Sequence, residues 1–272
     1  MNRKYAELID RVHTAKPLIH HITNYVTVND CANITLAIGA SPIMADAPEE
    51  AADIARIASA LVLNMGTLNE RTVKSMLLAG KAANEAGSPV VFDPVGAGAS
   101  AFRNETAARV LNEVEISVLR GNISEIRFLA GLHAETKGVD AAESDIRDTT
   151  SAVSLAKELA VRLGCVIAIT GAIDVISDGE KAVCVKNGHT KLSELTGTGC
   201  MCSSLMGSFC GAAPDMPFEA TVAALLCMGI AGELAYESAG TRGNGSFRVA
   251  LHNDMSKMSV ETISGRAKLH EA

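Results

Sequence analysis

The fold is decided by the segment Leu195-Thr196-Gly197-Thr198-Gly199-Cys200, which precedes the small, apolar run Met201-Cys202-Ser203-Ser204-Leu205-Met206-Gly207. The two glycines permit tight backbone turns, and the run behind them predicts a helix. Unpaired backbone N–H groups and the positive end of the helix dipole then meet at one point, where a negative group is favoured. The segment therefore predicts an anion site with Cys200 beside it.

Working outward, apolar runs that predict strands alternate with helical patterns. Strands are predicted over residues 60–64, 89–93, 116–119 and 165–170, helices over residues 69–85, 101–113, 151–163, 218–237 and 247–263, and an antiparallel hairpin over residues 174–185. This order predicts an α/β fold, with a mostly parallel central sheet and helices on both faces. Because no linker, repeat or charge block divides the chain, residues 1–272 are expected to form one domain.

Composition narrows the classes of function. The chain of 272 residues has a net charge of −7 and lacks the clustered Lys and Arg of nucleic-acid binding proteins. Its seven cysteines include no CxxC pair, which favours reduced thiols over disulfides or a zinc site. No signal-peptide core follows the N-terminus, and the most apolar late stretch, residues 222–232, is too short to cross a bilayer. We expect a soluble, cytoplasmic protein that binds neither nucleic acid nor membranes.

Polar and glycine residues follow the predicted strands at their carboxyl ends, where parallel sheets bind ligands. These positions are Gly66-Thr67, Asp93, Arg120-Gly121-Asn122, Thr170-Gly171 and Thr196–Cys200. Arg120 presents a planar fork suited to phosphate oxygens, and a surface salt bridge is the alternative. The hydroxyl of Thr170 is interpreted as a nucleotide phosphate contact, and a simple strand-end turn is the alternative.

Asp93 and Glu125 are the candidate metal residues. Mg²⁺ takes carboxylates and waters, which suits Asp93, and an N-cap or turn role is the alternative. Glu125 follows Asn122 in a capping-box pattern. The same carboxylate is also placed to join Asp93 around the metal through water.

Other nucleotide fingerprints are weak. Gly96, Gly98 and Ala101 fit a loose dinucleotide pattern, with Arg120 where an NADP-selecting arginine would lie. We discount this pattern because it lies mid-chain and Asp93 would repel a pyrophosphate. There is no Walker motif, so any ATP site is built without a P-loop.

Cys200 and a polar N-terminal segment complete the candidates. Cysteine is often a buried small hydrophobe, but at a helix N-terminus its thiolate is favoured, so the pKa of Cys200 is expected to fall. Asn24 can hydrogen-bond a small heterocycle. Met44 is assigned either to the core or to a ligand wall. His20 and His21 lack the spacing of metal ligands.

Together these segments resemble the hydroxyethylthiazole kinases, within the ribokinase-like superfamily. The segments are residues 20–24, 39–44, 63–68, 93–99, 120–122 with Glu125, 168–171, 188–189 and 196–200. Single motifs are shared across the superfamily, whereas their combination and order are specific. The resemblance covers most of the chain.

The resemblance implies phosphorylation of the primary alcohol of 4-methyl-5-hydroxyethylthiazole by ATP with Mg²⁺, in thiamin salvage. It also implies a homotrimer with active sites at subunit interfaces. The implied residues are Arg120, Thr170, Gly197 and Thr198 for ATP; Met44, Gly197, Asn24, Gly66, Thr67 and Cys200 for the thiazole; Asp93 and Glu125 for the metal; and Cys200, Gly197 and Gly199 for catalysis.

The superfamily usually has Asp where Cys200 stands, a departure that is typical of thiazole kinases. We hypothesise that Cys200 orients the alcohol more than it deprotonates it, because positioning and charge neutralisation dominate phosphoryl transfer. The alternatives are a hydroxymethylpyrimidine or pyridoxal kinase, a nucleotide-dependent dehydratase, an NADP oxidoreductase and a non-catalytic nucleotide-binding module.

Overall fold

The computed structural model describes residues 2–131 and 145–272, and a mixed sheet lies at the centre of these residues. Its strands are β1 (Leu18–Ile22), β2 (Ser41–Ile43), β3 (Ala60–Asn64), β4 (Val90–Asp93), β5 (Val118–Asn122), β6 (Val166–Thr170), β7 (Asp174–Ser177), β8 (Ala182–Val185) and β9 (Leu269–Glu271). Their order across the sheet is β2-β1-β3-β4-β5-β6-β7-β8-β9. Strands β1 to β6 pair in parallel, and β7, β8 and β9 continue the sheet in antiparallel pairs.

Helices cover both faces of the sheet. They are α1 (Arg3–Ala6), α2 (Leu8–Ala15), α3 (Val28–Ala37), α4 (Ala51–Ile57), α5 (Glu70–Ala86), α6 (Ala101–Glu113), α7 (Ile123–Leu129), α8 (Asp145–Leu163), α9 (Thr198–Ala212), α10 (Pro217–Ala239), α11 (Asn244–Met255) and α12 (Val260–Arg266), with 3₁₀ helices at Thr190–Glu194 and Gly240–Arg242. One apolar core joins the sheet to α1–α3 and α9–α12, and the other joins it to α4–α8. Burial on both faces explains why the parallel strands are almost continuously apolar.

The predicted α/β class, with helices on both faces of a mostly parallel sheet, is confirmed. The hairpin at β7 and β8 and the helix at α6 also lie where the sequence predicts them. The prediction of one helix over residues 247–263 is wrong. The chain leaves α11 after Met255, and the side chain of Ser259 accepts the N–H of Thr262 to cap a separate helix, α12.

The longest apolar helix, α10, is a core helix. The expectation that its apolar stretch is too short to cross a membrane is wrong, because residues 217–242 satisfy the length and hydropathy of a membrane span. However, 83% of the apolar window is buried inside the fold. This burial matches the central helix of a soluble protein, since the apolar face meets protein instead of lipid.

Candidate active site

The predicted anion site lies at the first turn of α9. Gly197 precedes the helix with φ of +89°, and a Cβ atom there would lie 2.7 Å from Cγ2 of Thr27. Glycine is therefore required at this position both by the left-handed backbone and by the neighbouring side chain. The hydroxyl of Thr198 donates to the carbonyl of Leu192 at 3.2 Å, which fixes the approach of the chain to the helix.

Gly199 has a different role from the one predicted. It lies inside the helix rather than in a turn, so only Gly197 makes the turn. A Cβ atom on Gly199 would lie 2.8 Å from Nη1 and 2.9 Å from Nη2 of Arg120. The absent side chain thus leaves room for a guanidinium group against the helix N-terminus.

The thiol of Cys200 is held by two asparagine side chains. Nδ2 of Asn24 and Nδ2 of Asn64 each lie 3.3 Å from Sγ, and Asn24 also donates to Oδ1 of Asn64 at 2.9 Å. Burial and the negative charge of Asp93 raise the pKa of Cys200, although Asn24 and Arg120 lower it. The expected fall in this pKa is therefore wrong, because burial outweighs the helix N-terminus. Cys200 is a neutral thiol.

Asp93 is the centre of the polar network below Cys200. Its side chain is fully buried, and Oδ2 accepts hydrogen bonds from Asn64 and Ser203, both at 2.8 Å. Nη1 of Arg120 lies 3.4 Å from both carboxylate oxygens. Burial raises the pKa of Asp93, and the charge of Arg120 opposes this. The ion pair is a buried one, not the surface salt bridge considered as an alternative.

Arg120 links this network to the next strand. Its Nη2 donates to Oγ1 of Thr170 at 2.7 Å, so the two predicted phosphate residues are in direct contact. Its Nε is buried and has no hydrogen-bond partner among the described residues. A buried donor without a partner is costly, and an anion over α9 would supply one.

Glu125 forms the predicted capping box. Its Oε2 accepts the N–H of Asn122 at 2.9 Å, and Asn122 accepts the N–H of Glu125 at 2.9 Å. The other oxygen, Oε1, accepts the N–H of Gly96 at 2.8 Å. Burial and the charge of Asp93 raise the pKa of Glu125.

The two candidate metal carboxylates fit a hydrated ion better than a directly coordinated one. No group of three His, Cys, Asp or Glu side chains in the described residues is arranged to hold a metal. The oxygens of Asp93 and Glu125 already accept hydrogen bonds from the protein. Each oxygen retains lone-pair capacity for a water molecule, as Mg²⁺ commonly keeps several waters.

A cavity of about 310 Å³ lies at the carboxyl ends of β1 to β3. It is lined by His21, Thr23, Tyr25, Val28, Met44, Asp46, Thr67, Asn69 and Thr72. The structure thus brings Met44 and Thr67 to one cavity. Gly66 contacts Asn24 instead, because a Cβ there would lie 2.7 Å from the asparagine side chain. A larger cleft, of about 880 Å³, lies at the amino ends of the parallel strands, where it is lined by Ser117 and Val166 among others. It includes none of the predicted site residues.

Sequence reasoning missed two members of the network, Asn64 and Ser203. Asn64 ends a strand that is otherwise apolar, which is the signal that would have found it. Ser203 lies three residues after Cys200 on α9, on the same side of the helix. Their hydrogen bonds to Asp93 show that both belong to the site.

The fold is of the ribokinase-like kind. The chain is similar in fold to a ribokinase-like superfamily protein from Enterococcus faecalis, with a TM-score of 0.63 at 11% identity over 92% of this chain and 95% of that one. More specifically, the model of the hydroxyethylthiazole kinase family matches residues 9–261, and the chain belongs to that family.

Individual relatives agree with this family. The chain is 59% identical to a hydroxyethylthiazole kinase of Ruminiclostridium cellulolyticum over 269 residues, which cover 99% of this chain and 98% of the relative. A solved structure of hydroxyethylthiazole kinase from Pyrococcus horikoshii is 40% identical, with a TM-score of 0.89 and 98% of both chains covered.

Proposed function

We propose that the protein transfers the γ-phosphoryl group of Mg-ATP to the primary alcohol of 4-methyl-5-hydroxyethylthiazole, giving the thiazole phosphate and ADP in thiamin salvage. The observation that carries this proposal is the position of Cys200. Its thiol lies at the N-terminus of α9, bonded to Asn24 and Asn64, with the Asp93–Arg120 pair below. The cavity with Met44 and Thr67 lies on the Asn24 side of the site.

In this proposal the alcohol oxygen is oriented by the thiol of Cys200. The neutral thiol orients the alcohol and does not accept its proton. Because the alcohol loses its proton late in a loose phosphoryl transfer, the proton passes to an oxygen of the transferred phosphoryl group or to water. Asn24 and Asn64 fix the thiol by donating to its sulfur. The hydroxyethyl group enters from the cavity, with the ring against Met44, Thr67 and the backbone at Gly66 and Gly197.

The triphosphate is bound by the opposite side of the site. The backbone N–H groups at Gly197, Thr198 and Gly199 and the α9 dipole stabilise the γ-phosphoryl oxygens. Arg120 and Thr170 contact the phosphate chain. Asp93 and Glu125 would hold a Mg²⁺ ion through its waters, and the ion would supply charge neutralisation for the phosphates.

Product analysis tests the proposal. The protein is incubated with Mg-ATP and the thiazole alcohol, and the thiazole monophosphate is sought by mass spectrometry. Parallel reactions contain hydroxymethylpyrimidine or pyridoxal, the substrates of the competing kinases. The proposal requires turnover of the thiazole in preference to the other two alcohols. Preferential turnover of either alternative, or no phosphorylated product, would refute it.

We also propose that the chain is one domain that assembles as a cytoplasmic homotrimer with active sites at the subunit interfaces. Exposed apolar side chains next to the cavity support this assembly. Tyr25, which lines the cavity, is 79% exposed, and Val26 is 56% exposed. In a monomer these apolar side chains would stay exposed to water, whereas a subunit interface would bury them. Light scattering tests the assembly: a trimeric mass is expected, and Val26→Asp should lower both the mass and the activity.

A further inference from the structure

The carboxylate of Asp174 lies next to the proposed phosphate residues and has no role in the function above. Its Oδ1 accepts the N–H of Gly171 at 3.0 Å, one residue beyond Thr170. Thr170 in turn accepts a hydrogen bond from Arg120. Asp174 is therefore two contacts away from the guanidinium group that faces α9.

The strand pattern places Asp174 on the α9 face of the sheet. Alternate residues of a strand point to opposite faces. Ile176 belongs to the core that includes α9 and α10, whereas Val175 belongs to the opposite core. Asp174 shares the face of Ile176, two residues away. Consistently, charges on this face act on each other: burial raises the pKa of Asp174 while the charge of Arg120 opposes the rise, and burial raises the pKa of Cys202 on α9 with the charge of Asp174 adding to it.

The order of strands in the sheet indicates in which direction a bound nucleotide extends from the alcohol cavity. The alcohol cavity is built at β1 to β3, the thiol and Asp93 lie over β3 and β4, and the phosphate residues Arg120 and Thr170 belong to β5 and β6. The next strand in this line is β7, which begins at Asp174. Two strand spacings, about 10 Å, separate β5 from β7, and this is comparable with the length of a triphosphate.

We infer that Asp174 binds a ribose hydroxyl of the nucleotide and selects ribonucleotides as phosphoryl donors. This inference rests on the proposed kinase function and deepens it. A carboxylate is a poor neighbour for phosphates, but it is an acceptor that ribose hydroxyls commonly use. One oxygen of Asp174 is engaged by Gly171, and the other has no hydrogen bond among the described side chains. The side chain is only partly buried, so the second oxygen is open to a ligand.

Deoxynucleotides test this inference directly. We would measure kcat and KM with ATP, 2′-deoxy-ATP and 3′-deoxy-ATP for the wild type, Asp174→Ala and Asp174→Asn. At pH 8, where the carboxyl of Asp174 is ionised, the wild type should use at least one deoxynucleotide about 10- to 100-fold less efficiently than ATP, as for loss of a hydrogen bond to a charged group. Asp174→Ala should lower kcat/KM for ATP by the same factor, mainly through KM. For the deoxynucleotide that the wild type uses poorly, Asp174→Ala should leave kcat/KM unchanged.

Two matched variants separate ribose binding from a structural role. Asp174→Asn keeps an acceptor for the Gly171 N–H and so guards against misfolding. Asp178→Ala removes a carboxylate from the other end of the same hairpin, where it accepts N–H groups of Glu180 and Lys181. Asp178→Ala should leave nucleotide discrimination as in the wild type. Equal losses for ATP and both deoxynucleotides in Asp174→Ala would overturn the inference, as would a wild type that does not discriminate.

Calorimetry distinguishes this failure from failure of the proposed function. Binding of ADP, 2′-deoxy-ADP and 3′-deoxy-ADP is titrated without any alcohol. If the protein discriminates among these ligands through Asp174 but phosphorylates no thiazole, the inference holds and the proposed function is wrong. If thiazole phosphate forms but Asp174→Ala binds all three ligands with wild-type ratios, the proposed function holds and the inference is wrong.

Discussion

Replacing Gly199 with alanine should impair catalysis while leaving the fold intact. The added methyl group would lie 2.8 Å from Nη1 and 2.9 Å from Nη2 of Arg120. Carbon atoms normally stay about 3.5 Å from such neighbours, so the guanidinium group must retreat by about 0.7 Å. Arg120 is tied to Thr170 at 2.7 Å and to Asp93 at 3.4 Å, so this retreat changes the position of the phosphate contact itself.

The magnitude follows from that displacement. A misplacement of about 1 Å costs on the order of 100-fold in rate, so we expect kcat to fall about 100-fold, or about 2.7 kcal/mol. Stability should change by less than about 1 kcal/mol, because alanine is a better helix former than glycine and offsets the weakened ion pair. Lower activity with an unchanged fold is the expected signature.

The assay combines coupled kinetics of ADP release with urea unfolding. Gly265→Ala is the matched control, because Gly265 is an exposed residue of α12 with nothing within 4 Å of an added Cβ. It should leave kcat unchanged. In the background of Arg120→Ala, the further change Gly199→Ala should have little effect on kcat. A full loss in that background, or wild-type kcat for Gly199→Ala alone, would refute the role assigned to this glycine.

Three further predictions concern the same site. Cys200→Ser should retain measurable thiazole phosphorylation, and Cys200→Asp should not abolish it. Complete loss of turnover in Cys200→Ser with substrate binding intact would show that the thiol is the essential base. Asp93→Asn should lower the free energy of unfolding by about 3 kcal/mol in urea titrations, because it leaves the Arg120 charge buried without its partner, and an unchanged midpoint would contradict this account. Burial raises the pKa of Asp174 to about 7, against the opposing effects of the Gly171 N–H and Arg120. Since its usual pKa is near 4, the protonated carboxyl stabilises the fold below about pH 4, and this stabilisation is lost as the pH rises through 7. Wild-type stability relative to Asp174→Asn should therefore decline from pH 5 to pH 8, and a parallel pH dependence of the two proteins would count against it.

Much of the site was predictable because its residues lie at or near the carboxyl ends of strands. Asp93, Arg120 and Thr170 end apolar runs, and parallel strands bring their carboxyl ends to one edge. Asn64 ends such a run as well, but an asparagine by itself indicates no particular chemistry. Ser203 lies within an apolar helix, where nothing in the sequence distinguishes it. Its hydrogen bond to Asp93 at 2.8 Å is the observation that assigns it to the site.

The sequence by itself determined the alternation of strands and helices, the turn at Gly197 and the capping box at Glu125, because these depend on neighbours within a few residues. Only the tertiary structure decided the ionisation of Cys200. Local sequence places this thiol at a helix N-terminus, which lowers a pKa, whereas burial beside Asp93 raises it. Asp93 is more than a hundred residues away in the chain, and no local pattern shows that α9 packs directly over it. The need for glycine at position 199 also depends on the tertiary structure, because the guanidinium group of Arg120 on β5 occupies the space that a side chain would need.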